Sequence, residues 1–179
     1  ARLQRLFPDH PKSVIGFSLG GNVLVQHLAK QSTSAPYSSA AVICAPLDLS
    51  SCSERINKGL SKIYQKYLVD MLKNSALKKA RRGLVSHINE AQIRAIKTMW
   101  EFDEHFTAPI NQFANAQDYY HRASGINNLN NITIPTLVIH AADDPFLAHE
   151  KITGLPKISP NIHFEVSRKG GHVGFIAGK

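Results

Sequence analysis

The sequence contains no apolar run near the ~18–20 residues that a bilayer-spanning helix requires, so no such helix is expected. It has only two cysteines, Cys44 and Cys52. They are too few for a disulfide scaffold, their spacing is not that of a zinc site, and two buried thiols are the expectation. Its nine histidines include no H-x-x-x-H or H-E-x-x-H pair, which disfavours metal chemistry, and neither a metal nor an organic cofactor is implied. No charged-then-apolar leader with a cleavage site, low-complexity stretch or internal repeat is found, and the chain reads as cytoplasmic.

Acidic residues are scarce, 13 against 21 lysines and arginines, for a net charge of +8. Such a balance raises nucleic acid or an anionic membrane as a partner. The excess is local, however. Lys58, Lys62, Lys66, Lys73, Lys78, Lys79, Arg81 and Arg82 face only Asp70 across 57–85, and the remaining residues are nearly neutral. A solvated helical face explains that segment, nucleic acid is not expected, and a weak membrane-surface contact through it is the remaining alternative.

What is present is an alternation of short apolar runs and helical patterns. Residues 13–17, 40–45, 136–141 and 162–166 read as strands, and a continuous run such as 40–45 predicts a strand buried on both faces of a parallel sheet. Leu3, Leu6 and Phe7 read as the last turns of a helix stopped by Pro8. Residues 20–30 carry apolar positions at helical spacing. Strands separated by helices indicate a parallel α/β sheet.

Between Pro46 and Thr136 lie 89 residues without a strand pattern, far more than a simple crossover needs. A helical insertion over 50–125 is expected, dividing a core made of 1–49 and 126–179. Leu60, Ile63, Tyr64, Tyr67, Leu68, Met71 and Leu72 predict an inward apolar face, with Lys58, Lys62 and Lys66 opposite. A second helix is expected over 75–82, ended by Gly83, and a third from Asn89, with Gln92 completing a capping box and Ile93, Ile96 and Trp100 on one face.

The sharpest motif is Gly16-Phe17-Ser18-Leu19-Gly20, a G-x-S-x-G at a strand-to-helix junction. This arrangement places a serine on a strained turn with its Oγ exposed, while glycines relieve crowding between strand and helix. The Leu19 N–H would sit at the helix N-terminus, facing a developing oxyanion. Serine needs a base, and the base an orienting acid. Asp143-Asp144-Pro145 follows the third predicted strand and Gly170-Gly171-His172 follows the fourth, in the chain order Ser, Asp, His.

Together Gly16–Leu24, Ile134–Leu137, Asp143–Phe146, Gly170–Phe175 and the Tyr119–Ser124 stretch resemble the YheT-like branch of the α/β-hydrolases, over about 12–178. The resemblance implies an α/β-hydrolase fold with a helical cap and a nucleophile Ser18, base His172 and acid Asp144, with Asp143 the alternative acid. It implies a carboxylesterase or acyl-lipid hydrolase working on a small-molecule or lipid ester through an acyl-enzyme. In that family four strands precede the elbow, and a loop among them supplies the second oxyanion donor. Neither has a counterpart here, so the chain reads as the carboxyl part of the domain, with an apolar sheet edge at 13–17 that calls for a dimer or the missing half. The competing expectation is an inactive fragment or interaction module.

Overall fold

The computed structural model describes residues 2–31, 36–147, 151 and 158–175. The chain divides into two compact units, Ala1–Asp48 with Ser124–Lys179, and Leu49–Ala123.

The first unit holds helix α1 (Arg2–Leu6), strand β1 (Ser13–Phe17), helix α2 (Leu19–Gln31), strand β2 (Ser39–Ile43), a 3-10 segment (Gly125–Asn131) and strands β3 (Thr136–Ala141) and β4 (Ile162–Ser167). The strands lie in the order β1-β2-β3-β4, every pair parallel. Phe17, Ile43, Ile139 and Glu165 stand in one register line, so the residues after each strand emerge along one edge of the sheet. In open parallel sheets that carboxyl edge is where ligands bind.

Apolar side chains drive this unit together on one face of the sheet. Val42 and Val138, both fully buried, meet Leu24, Val25 and Leu28 of α2, with Leu47, Leu129 and Ile132 closing the cluster. Burial alternates along β2 instead of running continuously, because α2 and the 3-10 segment cover one face and Ala41 and Ile43 on the other are only half-buried. Among the described residues β1 pairs with β2 alone, and Ile15 and Phe17 are 58% and 55% exposed.

The second unit is helical: α3 (Leu49–Ile56), α4 (Ser61–Arg81), α5 (Glu90–Ala95), α6 (Met99–Phe102), a π-helical turn (Asp103–Thr107), α7 (Ala108–Ile110) and α8 (Ala116–Ala123). Val69, Ala76 and Leu77 of α4 pack with Ile88, Ile93, Ile96, Phe102 and Phe106. Asn89 and Gln92 form the expected capping box, but α5 ends at Ala95 and a second box, Thr98 with Glu101, starts α6. Trp100 is therefore on a separate helix, edge-on to Tyr120.

Helix α4 departs from expectation twice. It runs unbroken for 21 residues, absorbing the separate helix expected at 75–82, before Gly83 turns the chain at φ +67°. Its buried stripe is also rotated from the expected one: Leu60, Ile63, Tyr64, Tyr67 and Met71 are exposed and Leu68 and Leu72 half-buried, while Ser61, Gln65, Val69, Ala76 and Leu77 are buried, and Lys58, Lys62 and Lys66 are exposed as expected. Small residues let the neighbouring helices approach, and the buried Gln65 amide is satisfied, donating to Asn57 Oδ1 (3.0 Å) and accepting from the Met99 N–H (3.1 Å). No described helix is long and apolar enough to cross a membrane.

At the centre of this unit the Tyr120 hydroxyl donates to Asp103 Oδ2 at 2.7 Å and lies 3.1 Å from Ser53 Oγ. Burial pushes the Asp103 carboxyl above its ordinary range, and burial beside that carboxylate pushes both Tyr119, to about 12, and Tyr120 upward.

Candidate active site

Ser18 occupies the single residue between β1 and α2 and takes φ +49°, a left-handed conformation that a non-glycine residue adopts only at a cost. Its N–H donates to Ile43 O at 2.9 Å and its carbonyl accepts from the Gly21 N–H at 2.9 Å, so strand and helix both hold the turn. A Cβ on Gly16 would stand 2.7 Å from Gly21 Cα, and one on Gly21 would stand 2.8 Å from Ala45 Cβ. Gly20, the second glycine of the motif, has open space around it. The crowding is thus relieved by Gly16 and Gly21. Leu19 opens α2, which places its N–H at the helix N-terminus beside Ser18.

The two remaining strands deliver the other groups to the same edge. His172, in the loop after β4, lies with Nε2 2.9 Å from Ser18 Oγ and Nδ1 2.8 Å from Asp144 Oδ2. Asp144, after β3, has a side chain with no exposure, whereas that of His172 is 20% exposed. Asp144 Oδ1 accepts from the Phe146 N–H at 2.8 Å, closing a tight turn that holds the carboxylate. Asp143 does not take this position: its Oδ1 accepts from the N–H groups of Gly170 (2.9 Å) and Gly171 (2.8 Å), the backbone that leads into His172. The structure therefore brings Ser18, His172 and Asp144 into one hydrogen-bonded line and puts Asp143 beside it.

Two residues to which the motifs assign no role stand beside this line. The Phe146 ring packs on the His172 ring with centroids 4.4 Å apart; its place directly after Asp-Asp-Pro is the signal in the chain. Cys44, the residue after β2, is fully buried at φ +47°, with its thiol donating to Gly171 O at 3.9 Å. Cys52, expected to be buried, is half-buried, and neither cysteine is in a disulfide. Val173, next to His172, is also left-handed at φ +57°. Three of the four non-glycine residues with positive φ among those described thus surround the Ser18–His172–Asp144 line.

A serine at a strained strand-to-helix turn, reached by a histidine and a buried aspartate from later parallel strands, is an arrangement tied to one superfamily, and the family model for the alpha/beta hydrolase fold matches residues 1–179. The chain belongs to the α/β-hydrolase family. It is 42% identical over 177 residues to YheT of Escherichia coli, covering 98% of this chain and 52% of that protein. It is 32% identical to phospholipase ABHD3 of Mus musculus, covering 97% of this chain and 42% of that one. Among solved structures, the Pyrococcus furiosus esterase Pf2001 matches with a TM-score of 0.52 at 17% identity, over 96% of this chain and 50% of that one, a likeness of fold. The chain thus spans about half the length of the relatives it matches.

Proposed function

We propose that the protein carrying this chain is a serine hydrolase of carboxylic esters, a carboxylesterase or acyl-lipid hydrolase that works through an acyl-enzyme. The observation that supports this reading is the unbroken hydrogen-bonded line from Ser18 Oγ through both ring nitrogens of His172 to the buried Asp144. In the first step His172 Nε2 takes the proton from Ser18 Oγ as that oxygen attacks the ester carbonyl. Asp144 accepts the Nδ1–H and stabilises the imidazolium that forms. The Leu19 N–H donates to the oxyanion, and a second donor would come from the part of the whole protein that this chain does not include. The imidazolium then protonates the leaving alcohol, and a water activated by His172 hydrolyses the acyl-serine.

In this reading the helical unit acts as a cap that selects the acyl chain, and the β1 edge is covered by the rest of the polypeptide or by a second copy. An ester or lipid substrate agrees with the relatives, one of which is named a phospholipase.

The test is the Ser18→Ala variant of the full-length protein. Turnover of p-nitrophenyl esters should fall by ~10⁴–10⁶ and labelling by a fluorophosphonate should vanish. Retention of both overturns the proposal. A chain of residues 1–179 that proves monodisperse and active alone would remove the competing reading as an inactive interaction module.

A further inference from the structure

The backbone and the ring of His172 are held by different groups. Asp143 takes the N–H groups of Gly170 and Gly171, the Gly174 N–H donates to Gly170 O at 3.0 Å, and the Cys44 thiol donates to Gly171 O, so the course of the loop is fixed without the imidazole. Among the described residues the ring itself meets three groups: Ser18 Oγ at Nε2, Asp144 Oδ2 at Nδ1, and the Phe146 ring, inclined at 58° with centroids 4.4 Å apart. A hydrogen bond at one nitrogen fixes that atom and lets the ring pivot about it. The aromatic contact is of another kind, because rings this close leave the imidazole no room to turn toward that side. Phe146 is anchored for such a role: its N–H donates to Asp144 Oδ1 at 2.8 Å, and Pro145, whose φ is set by its own ring, joins the two residues. The stop against the imidazole is thus tied to the same carboxylate that holds Nδ1.

We infer that Phe146 is a positioning residue for the proposed ester hydrolysis, and that its weight falls on the second half of the reaction, deacylation. In the first half the Ser18 hydroxyl itself holds Nε2 in place. As Oγ bonds to the acyl carbon its proton passes to Nε2, and then to the departing alcohol as the bond between that alcohol's oxygen and the acyl carbon breaks. The acyl-serine oxygen that remains has no hydrogen to donate. Neutral His172 has none to offer it at Nε2 either, since its one N–H is at Nδ1 and goes to Asp144. One of the ring's three contacts is therefore lost on acylation. In the second half a water oxygen attacks the acyl carbon and gives a proton to Nε2, and the bond from the acyl carbon to Oγ breaks as that proton returns to Oγ. Nε2 must be aimed at the water with only Asp144 and Phe146 to orient the ring. Asp144 supplies the pivot and Phe146 the second point.

The inference rests on the hydrolase reading, and its test keeps the two apart. The full-length wild type, Ser18→Ala, Phe146→Ala and Phe146→Tyr are assayed with a p-nitrophenyl ester. Turnover that survives Ser18→Ala sinks the hydrolase reading and this inference with it, whereas with Ser18-dependent turnover every further result concerns Phe146 alone. Acylation is read from kcat/KM. Deacylation is read from kcat divided by the fraction of Ser18 that is acylated at saturating ester, measured by the intact mass of acid-quenched enzyme. Phe146→Ala should slow deacylation about tenfold and change kcat/KM by less than about threefold, so that the acylated fraction rises and KM falls with kcat. Simple loss of folded enzyme would lower both constants together. Phe146→Tyr, which keeps the ring, should stay within about threefold of wild type in both. An unchanged deacylation rate in Phe146→Ala, equal losses in the two constants, or a Phe146→Tyr as slow as Phe146→Ala overturns the inference. If the alanine variant shows no melting transition, Phe146→Leu is read by the same criteria.

Discussion

Asp143 and Asp144, adjacent in the chain, hold one loop by two different grips: Asp143 takes the backbone N–H groups of Gly170 and Gly171, and Asp144 takes the ring of His172. The first is an exposed side chain acting on backbone, the second a buried one acting on a titratable ring. The two should separate cleanly under substitution.

Asp144→Asn preserves shape but removes the charge that stabilises an imidazolium, and it favours the wrong tautomer. The expected loss in kcat is ~10⁴. Asp143→Asn retains an oxygen that can accept the same two N–H groups, so a loss of no more than about tenfold is expected, a modest effect for a substitution beyond direct reach of the ring. Steady-state kinetics of the two variants in the full-length protein checks this; equal losses would return Asp143 to the role of acid.

The elbow glycines should not behave alike. An alanine at Gly16 or Gly21 meets backbone or a packed side chain within 2.8 Å, so each should destabilise by ~1–3 kcal/mol. Gly20→Ala meets nothing within 4 Å and lies inside α2, where alanine is favoured by up to ~1 kcal/mol. Denaturant unfolding of the three variants should place Gly20→Ala at or above wild type and the others below it.

Asp103 supplies a pH dependence of stability. Its folded-state pKa is raised, chiefly by burial, so the folded state holds its proton more tightly than the unfolded one. The stability it contributes is fully present below the unfolded carboxyl pKa, near 4, and is lost as pH rises through the higher folded value. Asp103→Asn cannot ionise, and its amide oxygen can still accept from Tyr120. Relative to wild type, the variant should gain thermal stability between about pH 4 and pH 7, as followed by melting curves across that range. A gain in the opposite direction counts against a buried, reluctantly charged carboxylate.

A weak contact of the helical unit with anionic membranes would use α4. Its exposed Leu60, Ile63, Tyr64 and Tyr67 lie beside Lys58, Lys62 and Lys66, apolar groups flanked by cations as in helices that lie in a headgroup layer. Flotation of the full-length protein with phosphatidylglycerol vesicles should weaken as salt is raised, and Lys58→Glu with Lys62→Glu should weaken it at low salt. No flotation at low salt removes this contact.

The strands were legible because a buried parallel strand writes itself as a short apolar run, and 13–17, 136–141 and 162–166 fall within a residue of β1, β3 and β4. The residues that form the hydrogen-bonded line were legible for a related reason: the elbow, Asp-Asp-Pro and Gly-Gly-His each follow such a run, and the sheet's register gathers strand ends at one edge. Two things were not legible. Periodicity measures where apolar residues sit and says nothing of which face finds a partner: in α4 the buried stripe runs through Ser61, Gln65, Val69, Ala76 and Leu77, beside the half-buried Leu68 and Leu72, and leaves Leu60, Ile63 and Tyr67 exposed. The end of β2 also escaped, because an apolar run through Cys44 and Ala45 looks like more strand until the chain turns left-handed at Cys44.

The left-handed residues Ser18, Cys44 and Val173 carry a consequence for the protein as a material. Each stores on the order of 1–3 kcal/mol in its backbone, and all three lie at the edge where Ser18, His172 and Asp144 meet. A selection for heat resistance alone would find easy gains by admitting glycine at these positions, and each gain would remove the side chain or loosen the loop on which the proposed chemistry depends. Thermostable forms obtained that way should be well folded and catalytically poor, so durability is better sought in the helices and away from this edge.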